Sequence, residues 1–399
     1  MKCYPRLDVL IYAHDGRGLG HISRSISIGL AIRRLFPNLK VAIITGSHYA
    51  QMLINYLPLE IIKIPSYVVN VYNGNSHGAI SHLNYTDQQL AGLRSLLLKT
   101  FIDQTNPKCI LVDHLPLGKR EELQITIQSG HSNCIWIFGI RAVYGYIDHI
   151  DRIKNELLNI YSHIFWYGDS RIISTDNIIS HLPLRSKINI EEIGYISRAY
   201  ELEKWNSIVR INQKRSFCVV SFSWISEHTL SILKIIVTLL EKVKNKWGNW
   251  FFFIGHDYSG GKASQYISLI NSMPFCNVDF LRNNYLNILA NSKFAIVAGG
   301  YNTLTDLLWS KTPSVVIVRS MVEKEQEIHV KKISNVCNGL IELMLDYEVS
   351  ISKLEAAIHK VTMFHNFDTN IDNIVISGSE NAAKKIAKIL GIANTNGKE

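Results

Sequence analysis

The chain has 399 residues, 47% apolar and 19% charged, with no low-complexity tract, so it is an ordered protein long enough for two domains of usual size. Its net charge of +9 fits an acidic partner and leaves open nucleic acid, an anionic membrane or a phosphorylated small molecule. With no zinc-finger spacing and no aromatic RNA-binding signature, nucleic acid is not expected, and six scattered cysteines without a CxxC pair signal neither a disulfide framework nor a zinc site, which fits a reducing cytoplasm.

The apolar run Val9 to Ala13 after Asp8 is too short for a signal-peptide core and reads as a first buried strand; no run reaches the ~20 apolar residues of a membrane-spanning helix. A helix is expected from about Ile22 to Phe36, a strand over Lys40 to Thr45 and a helix over Tyr49 to Tyr56, an alternation that makes βαβ units in a parallel sheet. Between the first strand and helix lies GRGLGH, Gly16 to His21. Its glycines permit positive φ, and N–H groups at the helix start attract an anion such as a diphosphate, which makes Gly18, Gly20 and Arg24 a candidate phosphate loop. The spacing is not the GxGxxG of a dinucleotide site, and the plainer reading is a tight packed turn. His21 stands where the helix dipole disfavours a proton, so a neutral imidazole there suits a general base; capping alone would also place a His at that point.

The stretch Tyr67 to Tyr85, rich in Asn, Gly, Ser and His, reads as a loop on the acceptor side. A long helix follows over Thr86 to Gln104, then strands at Cys109 to Val112, Cys134 to Ile137 and His163 to Trp166. In CILVDHLPLG, Cys109 to Gly118, Asp113 falls at the carboxyl end of its strand, the end that faces the ligand in an open parallel sheet. It could hold the His21 imidazole in one tautomer, as the acid of a triad does, or cap its own loop. Arg24, Arg33 and Arg34 give the first helix a basic face, for which anionic lipid and plain solvent are both open.

After the charged, low-order stretch Arg198 to Arg215 the pattern restarts with a strand at Phe217 to Phe222, an amphipathic helix over His228 to Lys244 and a strand at Trp250 to Ile254. The richest segment runs from Phe294 to Lys332, FAIVAGGYNTLTDLLWSKTPSVVIVRSMVEKEQEIHVKK. A strand reaches Gly299 and Gly300, the turn Tyr301-Asn302-Thr303 opens a helix, and Asp306 is expected within its first turn. Such a helix start suits a phosphate, and a carboxylate beside it suits the hydroxyls of a ribose. Thr303 as N-cap with Asp306 as capping-box acid would explain that pair without a ligand. The next strand leads to Arg319 and to Glu325-Gln326, groups able to bind sugar hydroxyls, and the chain closes on helices that include about Glu380 to Leu390.

At IYAHDGRGLGHISRS, LVDHLPLGKREEL, FWYGD and, most specifically, AGGYNTLTDLL, the sequence resembles glycosyltransferase family 28 and its neighbours. These include the N-acetylglucosaminyltransferase that completes the lipid intermediate of bacterial cell-wall synthesis; the resemblance is closer still to a group of predicted bacterial glycosyltransferases. It implies an α/β protein of GT-B fold, two Rossmann-like doubly wound parallel-sheet domains facing a central cleft. The implied domains are an acceptor-binding domain over 1–197, a linker over 198–215, a donor-binding domain over 216–378, and a C-terminal helix and tail over 379–399. It further implies inverting transfer from a nucleotide diphosphate-sugar, commonly a UDP-sugar, with no metal and no other cofactor. By the same resemblance Asp306 would hold the ribose, Thr303 and the backbone around it the phosphates, Glu325 and Gln326 the sugar, and the backbone near Leu281 the base. A His and Asp at the places of His21 and Asp113 act as base and partner in the similar plant-type transferases.

The sequence departs from that pattern in three places. Ser221 to His228, SFSWISEH, has no glycine where a glycine-rich phosphate loop is usual; Asp306 stands for a commoner Glu; and Lys311 occupies a place where glycine is usual. Two other readings therefore stay open: a nucleotide-sugar 2-epimerase or hydrolase of the same fold, and a non-catalytic nucleotide-sugar-binding protein. The acceptor, whether glycan, lipid or small molecule, is not spelled by any motif. A cytoplasmic location is expected, with peripheral contact to the inner membrane face left open.

Overall fold

The computed structural model describes residues 6–14, 19–54, 56–72, 75–80, 83–130, 133–143, 160–175, 188–208, 215–257, 261–279, 284–320, 324–363 and 369–392. The chain divides into two compact units, Met1–Glu201 with Ser377–Glu399, and Leu202–Ile376.

Unit 1 is built on seven parallel strands in the order β3-β2-β1-β6-β7-β8-β9: β1 Val9–Ala13, β2 Val41–Thr45, β3 Glu60–Lys63, β6 Cys109–Asp113, β7 Ile135–Arg141, β8 Tyr161–Tyr167 and β9 Asn189–Glu192. The central strands β1, β2 and β6 are buried along their whole length, which is why they read as continuous Val/Ile/Leu runs without alternation. The stretch expected as an acceptor-side loop instead contains an antiparallel hairpin, β4 Val68–Tyr72 with β5 Asn75–Ile80. Helix α1, Gly20–Leu35, has every residue from Ile22 to Ile32 buried, because it is covered on both sides. One side lies on the sheet; the other receives the C-terminal helix α12, Gly378–Ile389, whose Ala382, Ala383, Ile386 and Ala387 are buried. Small residues on both helices permit that approach. Gly378 is required where α12 begins, since a Cβ there would lie 2.5 Å from the Gly194 carbonyl oxygen.

Unit 2 holds six parallel strands in the order β12-β11-β10-β13-β14-β15: β10 Phe217–Ile225, β11 Asn249–Asp257, β12 Cys276–Asp279, β13 Ser292–Ala298, β14 Ser314–Val318 and β15 Ile341–Leu345. Its helices are α6 Glu227–Val243, α7 Ser264–Ser272, α8 Tyr285–Ala290, α9 Tyr301–Ser310, α10 Glu325–Val336 and α11 Ile351–Met363. The core joins α6 side chains Ile232, Leu233, Ile236 and Leu240 to Trp250, Phe252, Phe294 and Ile296 of the sheet and Leu354 and Ile358 of α11. Each such fully buried side chain contributes ~1.5–3 kcal/mol. The strand order of this unit reverses between β10 and β13, and that of unit 1 between β1 and β6, so a ligand crevice is expected at the carboxyl ends of each of those pairs.

Candidate active site

In unit 1 the reversal point brings together residues from three segments. His14, 7% exposed, follows β1; His21 and Arg24 lie on the first turns of α1; Asp113, 1% exposed, ends β6. Among the described residues the start of α1 has Leu19 as N-cap, with no side-chain cap and no acid in its own first turn. His21 Nδ1 lies 2.6 Å from Asp113 Oδ2, and Arg24 holds the same carboxylate through Nη2 to Oδ2 at 2.9 Å and Nε to Oδ1 at 3.3 Å. Arg24 Nη2 is also 2.9 Å from His21 Nδ1. The His14 ring is 3.8 Å from that of His21, and His14 Nδ1 is 3.3 Å from the Asp113 carbonyl. His114, next after Asp113, adopts φ +68 and turns its Nε2 to Arg141 Nη2 at 3.0 Å. The loop beyond it is anchored from below: Glu122 accepts from Tyr12 Oη and from Arg94 Nη2, the latter at 2.7 Å, and the Lys119 amide donates to Tyr12 Oη at 3.0 Å.

These contacts fix protonation. A carboxylate 2.6 Å from an imidazole nitrogen requires a hydrogen between them, so His21 carries its proton on Nδ1 and presents Nε2 as a lone pair. The contact with Asp113 alone would favour imidazolium. Burial, together with Arg24, Arg141 and Lys119, outweighs it and pushes the pKa of His21 well below the usual value of 6.5. Burial likewise pushes His14 and His114 well below that value, with His21 disfavouring a proton on His14 and Arg141 a proton on His114. The result is a neutral imidazole whose side chain is 18% accessible, enough to be reached by a ligand. His14, His21 and Asp113 have donor atoms within 4.8 Å of one another, a spacing that could hold a metal ion. Here the Arg24 guanidinium already sits on both carboxylate oxygens, so a metal would have to displace it.

In unit 2 the reversal point is a cleft of about 660 Å³, its open mouth included, within the range of small-molecule sites. Phe222, Ser223 and Ser226 line it from β10 and the turn beyond, His228 and Thr229 from the start of α6, and Ala298, Gly300 and Thr303 from the end of β13 and the start of α9. Arg319 and Gln326 line it after β14, and Asp346 after β15. The N-cap of α9 is Gly300, in an extended conformation with no side-chain cap bond, so the amides at this helix start are not used by a capping side chain. A Cβ on Gly300 would find nothing nearer than 3.8 Å, whereas one on Gly299 would meet Val318 Cγ2 at 2.6 Å. Gly299 therefore serves packing, and Gly300 faces the cleft.

The candidates from the sequence divide accordingly. His21, Arg24 and Asp113 come together, with Gly20 as the first residue of α1; Gly300, Thr303, Arg319 and Gln326 share the cleft. Asn302, Asp306 and Glu325 do not line it. Gly18 and Leu281 lie outside the described residues. Thr303 is not an N-cap, and Asp306 stands in the second turn of α9, whose first turn has no acid, so the capping-box reading fails. Arg24 is buried on Asp113 and is committed there. The basic face expected on α1 is consumed within the fold: Arg34 pairs with Glu201 at 2.9 Å, and Arg33 donates to the carbonyls of Pro37 and Leu39.

The glycine-free segment is also explained. Strand β10 continues to Ile225, and Ser226 at once caps α6, accepting from the Thr229 amide, so there is no loop for glycines to shape. Ser226, His228 and Thr229 line the cleft there in polar form, and their Ser-x-x-Thr spacing was a capping signal visible in the sequence. Asp346 carried no such signal, because it reaches the cleft only through the pairing of β15 with β14; it accepts from the Ser320 amide at 3.1 Å.

Residues 259–389, most of unit 2 and the terminal helix, match the family described as glycosyltransferase family 28 C-terminal domain. No curated protein matches the chain. MurG of Acinetobacter baumannii aligns over 95% of this chain and 95% of its own with TM-score 0.51 at 10% identity. A UDP-GlcNAc 2-epimerase from Methanocaldococcus jannaschii, in complex with UDP-GlcNAc and UDP, aligns over 96% and 99% with TM-score 0.60 at 14% identity. CalG4, the calicheamicin glycosyltransferase, aligns over 97% and 98% with TM-score 0.57 at 9% identity. The chain has the GT-B fold of these proteins, and its second unit is similar to family 28. Among the described residues no helix is long and apolar enough to cross a membrane.

Proposed function

We propose that this protein is a glycosyltransferase that moves a sugar from a nucleoside diphosphate-sugar, most readily a UDP-sugar, to a hydroxyl-bearing acceptor with inversion. The observation that carries this reading is the unit 2 cleft, where an uncapped helix start, Thr303, Arg319 and Gln326 meet at the β10/β13 reversal in a domain similar to family 28. The helix start and Arg319 suit the two phosphates, and Gln326 suits the sugar hydroxyls. Asp306, expected at the ribose, does not line the cleft and would reach a ligand only if it extended along α9. In unit 1, His21 Nε2 takes the proton of the acceptor hydroxyl as its oxygen bonds to the anomeric carbon; the bond from that carbon to the diphosphate breaks, and the nucleoside diphosphate leaves with the electron pair. The negative charge that develops on the diphosphate is met by the helix start and Arg319, so no metal is required for it.

The second reading, a nucleotide-sugar 2-epimerase, is favoured by the alignment with the Methanocaldococcus enzyme. One experiment separates the two. The protein is incubated with UDP-GlcNAc and a panel of other nucleotide-sugars, with and without a glycan, lipid and small-molecule acceptor panel, and products are read by NMR and mass spectrometry. Transfer that needs an acceptor supports the proposal; a C2 epimer formed without acceptor overturns it. Binding of donor with no product in any mixture would make the protein a binding module.

A further inference from the structure

The Asp113 carboxylate has two partners, and they do different work. Arg24, 2% exposed, takes both of its oxygens, and His21 shares one of them. A carboxylate with a guanidinium in place already has its counter-charge, so it does not need an imidazolium as well. The contact between Arg24 Nη2 and His21 Nδ1 at 2.9 Å brings a fixed cation against the Nδ1 edge of the ring. Two orders of protonation are conceivable. With Nδ1 bare, Arg24 would donate to it, but Asp113 Oδ2 would then face a lone pair at 2.6 Å, which is repulsive. With Nδ1 protonated, His21 and Arg24 both donate to Oδ2, and the 2.9 Å between Arg24 Nη2 and His21 Nδ1 separates two donors to one oxygen.

We propose that Arg24 is a positioning residue: held on both oxygens of Asp113 and against the Nδ1 edge of His21, it fixes that imidazole as a neutral Nδ1–H tautomer with Nε2 left to take a proton. This deepens the reading of His21 as base and rests on it. The other groups facing His21 are His14 after β1, Asp113 and His114 after β6, Lys119 in the loop that follows, and Arg141 at the end of β7. Arg24 touches both members of the pair through its guanidinium, so its charge and its bonds to Asp113 can act together; His14 also meets both, through its ring and the Asp113 carbonyl, but burial disfavours a charge on it. A pair of His and Asp alone leaves the imidazolium stabilised by a whole carboxylate charge; the third member reduces that stabilisation and keeps the base free at lower pH.

The test is ¹⁵N-histidine NMR of the full chain, with the His21 signals assigned by their loss in His21→Gln. In the wild type at pH 7.5, His21 is expected as the Nδ1–H tautomer, titrating below the ordinary histidine range. Arg24→Gln removes the charge but keeps one donor to Asp113, and is expected to raise the proton affinity of His21 about tenfold or more. Arg24→Lys keeps the charge, and the affinity should stay within about threefold of wild type. An Nε2–H tautomer or an imidazolium in the wild type at pH 7.5 overturns the proposal without any variant. So does an unchanged titration in folded Arg24→Gln. These readings use no substrate, so they fail separately from the base assignment: if the spectra are as expected but His21→Ala keeps full turnover, His21 is not the base while Arg24 still sets its state.

Discussion

The two reversal points of the molecule are organised in opposite ways. In unit 1 the side chains of His21, Asp113 and Arg24 bind mainly to one another: the Asp113 carboxylate takes both partners, and His21 meets the cluster through Nδ1 alone. In unit 2 the cleft is lined by groups that face space, Thr303, Arg319 and Gln326, beside helix amides that no side chain caps. The first arrangement suits chemistry, in which one atom must have one orientation and one proton state; the second suits binding, in which a ligand supplies the missing partners. Under the proposed function the reacting group belongs to unit 1 and the affinity for donor to unit 2, a division that can be broken by experiment at either point.

The largest effect is expected at His21. A positioned general base contributes ~100- to 10,000-fold in rate, so His21→Ala should lower turnover by that order while leaving the affinity for UDP, read by the melting shift, unchanged. Asp113→Asn should give a smaller defect of the same kind, because the amide keeps one acceptor oxygen for two donors, replaces the other by an NH2, and leaves Arg24 without its counter-charge. The double variant should be little worse than His21→Ala, since the two act as a unit. If folded His21→Ala turns over normally, or if it loses UDP binding as well, the division of labour between the units is wrong.

The reciprocal experiment is in unit 2. UDP binds the folded state and should raise the melting temperature, and Arg319→Ala should weaken it about tenfold or more, the usual loss when a charge-assisted hydrogen bond is removed. Gln326→Ala should weaken the intact nucleotide-sugar more than UDP, because its assigned partner is the sugar. Asp306→Ala should also reduce the shift from UDP, which would place the ribose along α9 beyond the cleft; an unchanged shift removes Asp306 from the site. Turnover with donor and acceptor should survive a chelator of divalent metals, because Arg24 occupies the carboxylate of the one histidine–aspartate group that could hold an ion among the described residues.

A smaller effect distinguishes the units by pH. Four histidines of unit 1, His14, His21, His114 and His163, have folded pKa values below the unfolded value, so between the two the unfolded chain binds more protons. Their contribution to stability is complete above about pH 6.5 and is lost as pH falls toward the depressed folded values, at up to ~1.4 kcal/mol per pH unit for each group. Denaturant melts from pH 7.5 to 5, followed by a unit 1 tryptophan such as Trp166, should show this loss. His14→Leu should flatten the slope by about one proton. A unit 1 transition that is independent of pH over that range would mean that these imidazoles are not held neutral.

How much of this contrast the sequence carried depends on distance along the chain. Strands β1, β2 and β6 and helices α1, α3 (Asp87–Thr105) and α6 were readable within a residue or two, because their signals are local: an unbroken apolar run for a buried parallel strand, or a cap such as Thr86 with Gln89 before a helix. The proximity of His21 to Asp113 followed from one topological rule about strand ends. Short edge strands such as β3, β9 and β12 were not read, since four residues with polar faces carry little periodicity. Arg24 was read as a phosphate ligand because nothing in its sequence neighbourhood announces an acid 89 residues away. Asp346 was missed for the same reason. The capping-box reading of Thr303 and Asp306 failed because the strand ends at Ala298, two residues before Gly300, and the helix starts at Tyr301 with Gly300 as N-cap.

The smallest effect tests a local departure in unit 2. Lys311 is the C-cap of α9 with φ 50 and ψ 38, a left-handed conformation that glycine adopts freely and that costs a residue with a Cβ ~1–2 kcal/mol. This gives a backbone reason for glycine at that place in similar sequences and makes the lysine a source of strain. Its ammonium pairs with Asp372, a largely exposed contact of the kind worth ~0–1 kcal/mol, so replacing the lysine changes two things at once. Lys311→Ala removes the pair and keeps the strain; Lys311→Gly removes both. The Gly variant gains from the relieved strain but gives back ~0.4–1 kcal/mol in unfolded-chain entropy. It should therefore exceed the Ala variant by about 0.5–1 kcal/mol, a shift of roughly 1–4 °C in a melt that follows unit 2. Neither change should alter the titration of His21 in unit 1. Should the Ala variant prove equal or better, the left-handed cap is not strained, and some other demand on α9 would have to explain the departure.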